Sequence, residues 1–541
     1  MTGDALFIGL DFGTSSLKAV AVGAGGEIVA RAHAGYPTAR PESGAAEQSP
    51  ADWWAAVEAA VAQLHDGGAP TRRWAAIGLS AMIPTLVATD DDGEPVAPAI
   101  TWEDGRAEPE GDALRARLDG ERLYGLTGQW VDGRYLLPMY LRLARVAPQV
   151  SGRARRLLAA KDWLFWRLTG EPATDPSTAS GFGCYELEAG TWLEPAVAAA
   201  ADLLVSLNNW PRSGPIVQRD GDPTGASGQT PGQASGAAAR MTADHPGLPT
   251  LPPVLPSTTV RRLEADVATR LGLPVGLPVC LGAADSVLGC LGLGVERPGD
   301  VACVAGTSTV LLGVADRLLA DPAHRYLITP LAGIDGWGFE MDLLTTGSAF
   351  RWLGGLLREA GGDEASLMSL AASVEPGAGG LSFLPYLAPG EQGALWDPTV
   401  PGALFGLSLG HGAADVARAL VDGVVLESRR CLAVLEEAGL TRGEIRMAGG
   451  SGADPVFRQQ LADASQRRVV YAADGETAHS AIGAALLAAM ATGHGPLTAA
   501  SPAALETIAP REAESLRWDR LWERHESALA ALRGFVGARP A

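Results

Sequence analysis

Asp11 closes the apolar run 5–10 (ALFIGL), and Gly13-Thr14-Ser15-Ser16 and Lys18 follow at once. Phosphoryl transfer from ATP asks for such a set. The phosphates need backbone amides and a cation, Mg2+ needs a carboxylate, and the acceptor hydroxyl needs a base in line with the transferring phosphorus. A turn without bulky side chains can aim its amides at oxygen atoms, Lys18 supplies the cation, and Asp11 stands where it can enter the Mg2+ shell. An ordinary hairpin can also turn on Gly-Thr-Ser. It does not account for a strand-end Asp, a nearby Lys and a second copy of the tripeptide, Gly306-Thr307-Ser308, between the runs VACV and TVLLGV. The shared strand–turn–strand context predicts two related domains, each opening its sheet with a Gly-Thr-Ser hairpin.

Asp285 is the candidate base. It ends the run LPVCLGAAD and begins SVLGCLGLG, and Gly282, Ala283 and Ala284 leave room for a substrate whose hydroxyl proton it could accept. A carboxylate there serves equally well as the N-cap of the following helix; the local sequence does not choose. A third turn, Gly449-Gly450-Ser451-Gly452, joins the strand-like EIRMA to a helical PVFRQQLADA. That shape admits a flat ring or a phosphate over the backbone, although any strand-to-helix turn can use glycine.

The elements that must hold these groups read as α/β. ADWWAAVEAAVAQL, KDWLFWRLTG and DVARALVDGVVLESRRCLAVLEEAG carry helical periodicity between the strand runs. Residues 212–247 are rich in Gly, Ser, Pro, Thr and Ala, a composition that buries little apolar surface and predicts a loose insertion. The boundary between domains is placed just after it, giving 1–256 and 257–541. At 541 residues and 47% apolar content the chain can fill several cores. Its 42 basic and 62 acidic residues leave a net charge of −20, which repels nucleic acid and anionic lipid, so neither is an expected partner. Five cysteines without a CxxC pair predict reduced thiols in a cytoplasmic protein. The start lacks a signal-peptide pattern, and the longest apolar stretch, around Ala481–Met490, is too short to span a bilayer.

Taken in order, the segments IGLDFGTSSLKAV, AEQSPADWW, AITWEDGR, KDWLFWRLTG, GAADSVLGCLGLG, VAGTSTV, FLPYLAPGE, LWDPTVPGALFGLS and MAGGSGADPVFRQQLAD resemble the FGGY carbohydrate kinases. The xylulokinases and gluconokinases are the most similar subgroups. The resemblance implies two duplicated actin-like ATPase (ribonuclease H-like) domains with the active site in the cleft between them. It implies transfer from MgATP to a small sugar, sugar acid or polyol, with a ketopentose such as xylulose first. Asp285 aligns with the family's base, and Asp11 with its phosphate-loop aspartate tied to metal and activity. Gly13, Thr14, Ser15 and Lys18 fall in the first phosphate loop, and Gly306 and Thr307 in the second. Gly347 and Arg351 fall where the family contacts the nucleotide, and Gly449, Gly450 and Asp454 where it holds adenosine. Met82 and Ile83 occupy the sugar-binding dipeptide, with Trp102, Asp104 and Arg106 nearby. A homodimer is common among similar proteins.

Three positions depart from the family. Ile83 stands where these subgroups have His, Met139 where they have Lys, and Gln392 where they have Arg. A lost hydrogen-bonding group puts the usual acceptors in question. The departures also motivate a second reading, a non-catalytic or regulatory sugar-binding protein that keeps the fold.

Overall fold

The computed structural model describes residues 4–207, 247–306, 308–359, 364–388, 393–395, 397, 399–440, 442–472, 478–495 and 505–537. Two mixed sheets organise them. In the first, Leu6–Phe12, Ser16–Gly23 and Ile28–Gly35 form an antiparallel meander, and Trp74–Ala81 and Pro278–Ala284 continue in parallel. Val260–Arg262 closes that edge antiparallel. The second sheet repeats the plan. Val301–Ala305, Thr309–Ala315 and Trp337–Leu343 meander, Ile445–Ala448 and Val469–Ala472 run parallel, and Leu505–Ile508 returns antiparallel. One further edge strand, Leu327–Pro330, pairs with Trp337–Leu343. The duplication read from one tripeptide thus extends strand for strand.

Leu6–Phe12 is buried along its whole length, as suits a central strand covered on both faces. Helix Pro50–Asp66 covers one face with Trp53, Val57 and Leu64. Helices Asp285–Gly292 and His479–Ala491 cover the other. The second helix lies so close that a Cβ on Gly9 would stand 1.7 Å from the Ala481 carbonyl oxygen. The long helix Ala413–Glu437 packs in the core of the second sheet.

The division expected near Ser257 falls ahead of Val260–Arg262 and Pro278–Ala284, which belong to the first sheet. The apolar run 278–284 pairs with Trp74–Ala81, so the sheets part between Gly292 and Val301. Of the expected insertion only Gly247 lies among the described residues. All five cysteines are buried and free. No helix among the described residues is long and apolar enough to cross a membrane.

Candidate active site

Parallel and antiparallel registers place Asp11 between Ser80 on one side and Lys18 on the other. Ser80 Oγ donates to Asp11 Oδ1 at 2.7 Å. Burial raises the Asp11 pKa, and the Ser80 hydrogen bond and the Lys18 charge oppose that rise. The turn that follows is stapled from outside. Gly13 N–H donates to the Ser16 carbonyl at 3.0 Å, and Tyr36 O–H donates to the Gly13 carbonyl at 2.5 Å. Gln48 Nε2 donates to the Thr14 carbonyl at 2.6 Å, and Trp102 Nε1 to Thr14 Oγ1 at 3.2 Å. Carbonyls so engaged hold the turn in one shape, which is what a preformed phosphate cradle requires.

Asp285 is the first residue of helix Asp285–Gly292, and its carboxylate is not the cap. Ala284 holds the N-cap position, and Asp285 Oδ1 accepts the adjacent Ser286 N–H at 2.9 Å. The strand reaches this point through Gly282, whose φ of +77° and whose approach to Leu79 leave no room for a Cβ: one would lie 1.7 Å from the Leu79 carbonyl oxygen. Burial pushes the Asp285 carboxyl up to about 8, and the charges of Asp11 and Asp342 add to it. Burial and the charges of Asp11 and Asp285 raise the Tyr36 phenol as well, which puts all three groups in one neighbourhood.

The raised carboxyl makes Asp285 costly to keep. An aspartate whose folded pKa lies above its unfolded value near 3.8 loses stability as pH rises from the lower value to the higher. Asp285→Asn is therefore expected to melt higher than the parent protein at pH 8, by a few degrees, with the gain shrinking towards pH 4. Thermal unfolding of the nucleotide-free proteins at the two pH values checks this; equal melting at pH 8 contradicts it.

The other candidates fall in a second cluster. Gly306 N–H donates to the Ser308 carbonyl at 2.8 Å, the counterpart of the Gly13 turn, and Thr307 lies outside the described residues. Gly347 begins helix Gly347–Glu359, and a Cβ there would stand 2.3 Å from the Gly306 carbonyl oxygen and 3.1 Å from Ser451 Oγ. Gly449, at φ +94°, would bring a Cβ within 2.4 Å of the Ala305 carbonyl oxygen, whereas Gly450 faces open space. Asp454 caps helix Pro455–Ser465, accepting from Val456 N and Phe457 N at 2.8 and 3.1 Å. Arg351 is exposed on the Gly347 helix.

Of the residues expected at the acceptor, Met82 is buried in the core on one side of the first sheet, and Ile83 is partly buried against the core on the other. Asp104 and Arg106, expected at the acceptor, are turned to one another. Arg106 reaches Asp104 at 2.6 Å, Glu47 at 2.6 Å and Glu42 at 2.7 Å, and Asp104 Oδ2 accepts Ala46 N–H. These ions brace the loop that carries Trp102 against Thr14. Met139 is buried, and Gln392 lies outside the described residues.

Sequence reasoning missed Glu340 and Asp342. They share one face of strand Trp337–Leu343, and Ser286 Oγ donates to Glu340 Oε2 at 2.8 Å, linking the second sheet to the helix of Asp285. Burial raises both carboxyls; Asp342 raises Glu340 further, and Arg134 pulls Asp342 down. Arg134 is itself paired with Asp132. The alternation in WGFEMDL was the available signal: two acids spaced by two residues, on the strand that leads to Gly347.

Two pieces of this chain match the two halves of one family: residues 6–209 the N-terminal domain, and residues 301–492 the C-terminal domain, of the FGGY family of carbohydrate kinases. The chain belongs to that family, whose members are ATP-dependent phosphotransferases, and its two sheets are the family's duplicated actin-like domains. It is 27% identical over 499 residues to the gluconokinase of Bacillus subtilis (strain 168), covering 90% of this chain and 87% of that one. It is also 27% identical over 487 residues to the xylulose kinase of Escherichia coli (strain K12), covering 90% of each. The crystal structure of xylulose kinase from Rhodospirillum rubrum superposes with a TM-score of 0.82 at 30% identity, covering 98% of this chain and 100% of that one.

Proposed function

We propose that this kinase transfers the γ-phosphoryl group of ATP to a hydroxyl of a small neutral polyhydroxy acceptor, a ketopentose such as xylulose first, with Asp285 as general base. Relatives named for gluconate and for xylulose stand at the same identity, so their names do not choose. The observation that carries the choice is the row of carboxylates Asp285, Glu340 and Asp342, faced by an arginine that Asp132 already pairs. A neutral sugar can donate hydroxyl hydrogens to such oxygens. A sugar acid would bring a full negative charge into a poorly solvated site whose burial already pushes its own carboxyls towards their neutral forms.

In this reading Asp285 takes the acceptor's proton as the hydroxyl oxygen attacks the γ-phosphorus. The amides of the Gly13 and Gly306 turns and the Lys18 ammonium hold the phosphates; Gly450 leaves backbone open to the nucleotide, while Gly347 and Gly449 let their turns close on Gly306 and Ala305. Mg2+ is commonly held by one or two carboxylates together with substrate phosphates, and the buried strand-end carboxylate of Asp11 beside Lys18 fits that arrangement. Among the described residues no group of three or more His, Cys, Asp or Glu could hold a metal by itself. Mg2+ there would neutralise charge on the transferring phosphates.

A coupled ADP-release assay across D-xylulose, D-gluconate and pentitols tests the assignment. The kcat/KM for D-xylulose is expected to exceed that for D-gluconate by about 10²-fold or more. Gluconate turning over as well as xylulose, or better, overturns the neutral acceptor.

A further inference from the structure

Behind Asp285 runs a chain of buried polar groups that the phosphoryl-transfer reading does not use. Strand Pro278–Ala284 slips in register against Trp74–Ala81 between Cys280 and Ala283. The Ala284 N–H, one peptide before Asp285, is then taken by a side chain: it donates to Ser177 Oγ at 2.9 Å. Ser177 Oγ–H donates in turn to Asp175 Oδ2 at 2.5 Å, and the same oxygen accepts Ser177 N–H at 3.0 Å. Asp175 Oδ1 lies 3.2 Å from Lys161 Nζ, which also reaches Asp162 Oδ1 at 2.9 Å. Asp162 and Asp175 hold Lys161 charged against the cost of its burial. Ser177, Asp175, Lys161 and Asp162 are each 1% exposed or less.

A paired charge cluster this far from water does not reorient without breaking several charge-assisted bonds. It is rooted in two separate helices, Ala160–Thr169 and Pro176–Ser180, and among the described residues it reaches the strand before Asp285 through the Ser177 hydroxyl. The polarity has one direction. Lys161 fixes Asp175, Asp175 orients the Ser177 hydroxyl, and the Ser177 lone pair fixes Ala284 N–H. A general base works only within hydrogen-bond reach of its proton and in line with the phosphorus, so a tilt at this strand–helix junction moves the base off that line.

We propose that Lys161, Asp175 and Ser177 form a positioning relay that sets the direction of the Asp285 carboxylate through the Ala284 peptide. The proposal rests on Asp285 being the base. Ser177→Ala keeps the volume nearly unchanged and removes the outlet. With D-xylulose as acceptor, its kcat is expected to fall about ten- to a hundredfold, with the KM for ATP within about twofold of the parent. Ser177→Thr, which restores a hydroxyl, is expected to recover most of the loss. Hydrogen exchange gives a readout that needs no acceptor: the Ala284 amide is expected to lose protection in Ser177→Ala and regain it in Ser177→Thr. An unchanged Ala284 amide, an unchanged kcat, or a loss shared equally by kcat and ATP binding with no threonine rescue overturns the relay. Asp285→Ala, assayed alongside, separates the two ideas: if that variant keeps turning over, the reading of Asp285 as base has failed instead. Should Ser177→Ala not fold, Asp175→Asn, which leaves the hydroxyl but removes its anionic partner, is expected to give the same split between kcat and KM, and its absence likewise overturns the relay.

Discussion

Asp285→Asn is expected to lower acceptor-dependent turnover by about 10²–10⁴ while ATP still binds, because that factor is what a positioned general base contributes. The amide has nearly the shape of the carboxylate, so the cleft need not rearrange, and only the acceptor for the proton is lost. Burial that lifts the Asp285 carboxyl to about 8 makes the parent protein a stronger base than a surface aspartate, so the loss on removal is large. Titration of ATP binding beside steady-state turnover checks both halves. A variant within tenfold of the parent turnover would place the base elsewhere. A variant that loses ATP binding as well would make Asp285 structural.

Lys161→Met is expected to destabilise the protein by about 3–5 kcal/mol, because it leaves Asp162 and Asp175 buried without their cation. Methionine fills the volume, so the cost is electrostatic rather than a cavity. The drop in melting temperature at pH 7 is about 3–5 °C, and Lys161→Arg should recover part of it by restoring the charge. Unfolding in denaturant measures the difference; a cost below about 1 kcal/mol would mean that water reaches the pair.

Much of this architecture was legible in the residues. Gly13-Thr14-Ser15 and its copy at Gly306 announced two hairpins, and the sheets built on them agree strand for strand. The run 278–284 pointed to a strand ending at Asp285, with base and helix cap both left open by the local sequence, and the glycines at 449 and 450 to a strand-to-helix turn. The domain boundary was illegible because the strand that completes the first sheet comes after the insertion; only long-range pairing with Trp74–Ala81 reveals that. The helical period of KDWLFWRLTG does not single out Lys161, whose burial depends on Asp175, and no local period encodes that approach. Glu340 and Asp342 alternated with apolar residues as a solvent-facing strand would. Their face meets the helix of Asp285 instead, through Ser286. Arg106 looked available to a substrate, but Glu42 and Glu47, from one distant stretch of chain, and Asp104, from its own loop, pair with its guanidinium.

Phosphorus NMR of the products formed from MgATP and D-xylulose tests the central claim most directly. The account predicts a sugar phosphate ester accumulating in step with ADP, formed about 10²-fold or more slowly when D-gluconate replaces the ketose at the same concentration and in Asp285→Asn. ADP accompanied only by inorganic phosphate, or bound ATP left intact with every neutral acceptor, would contradict it.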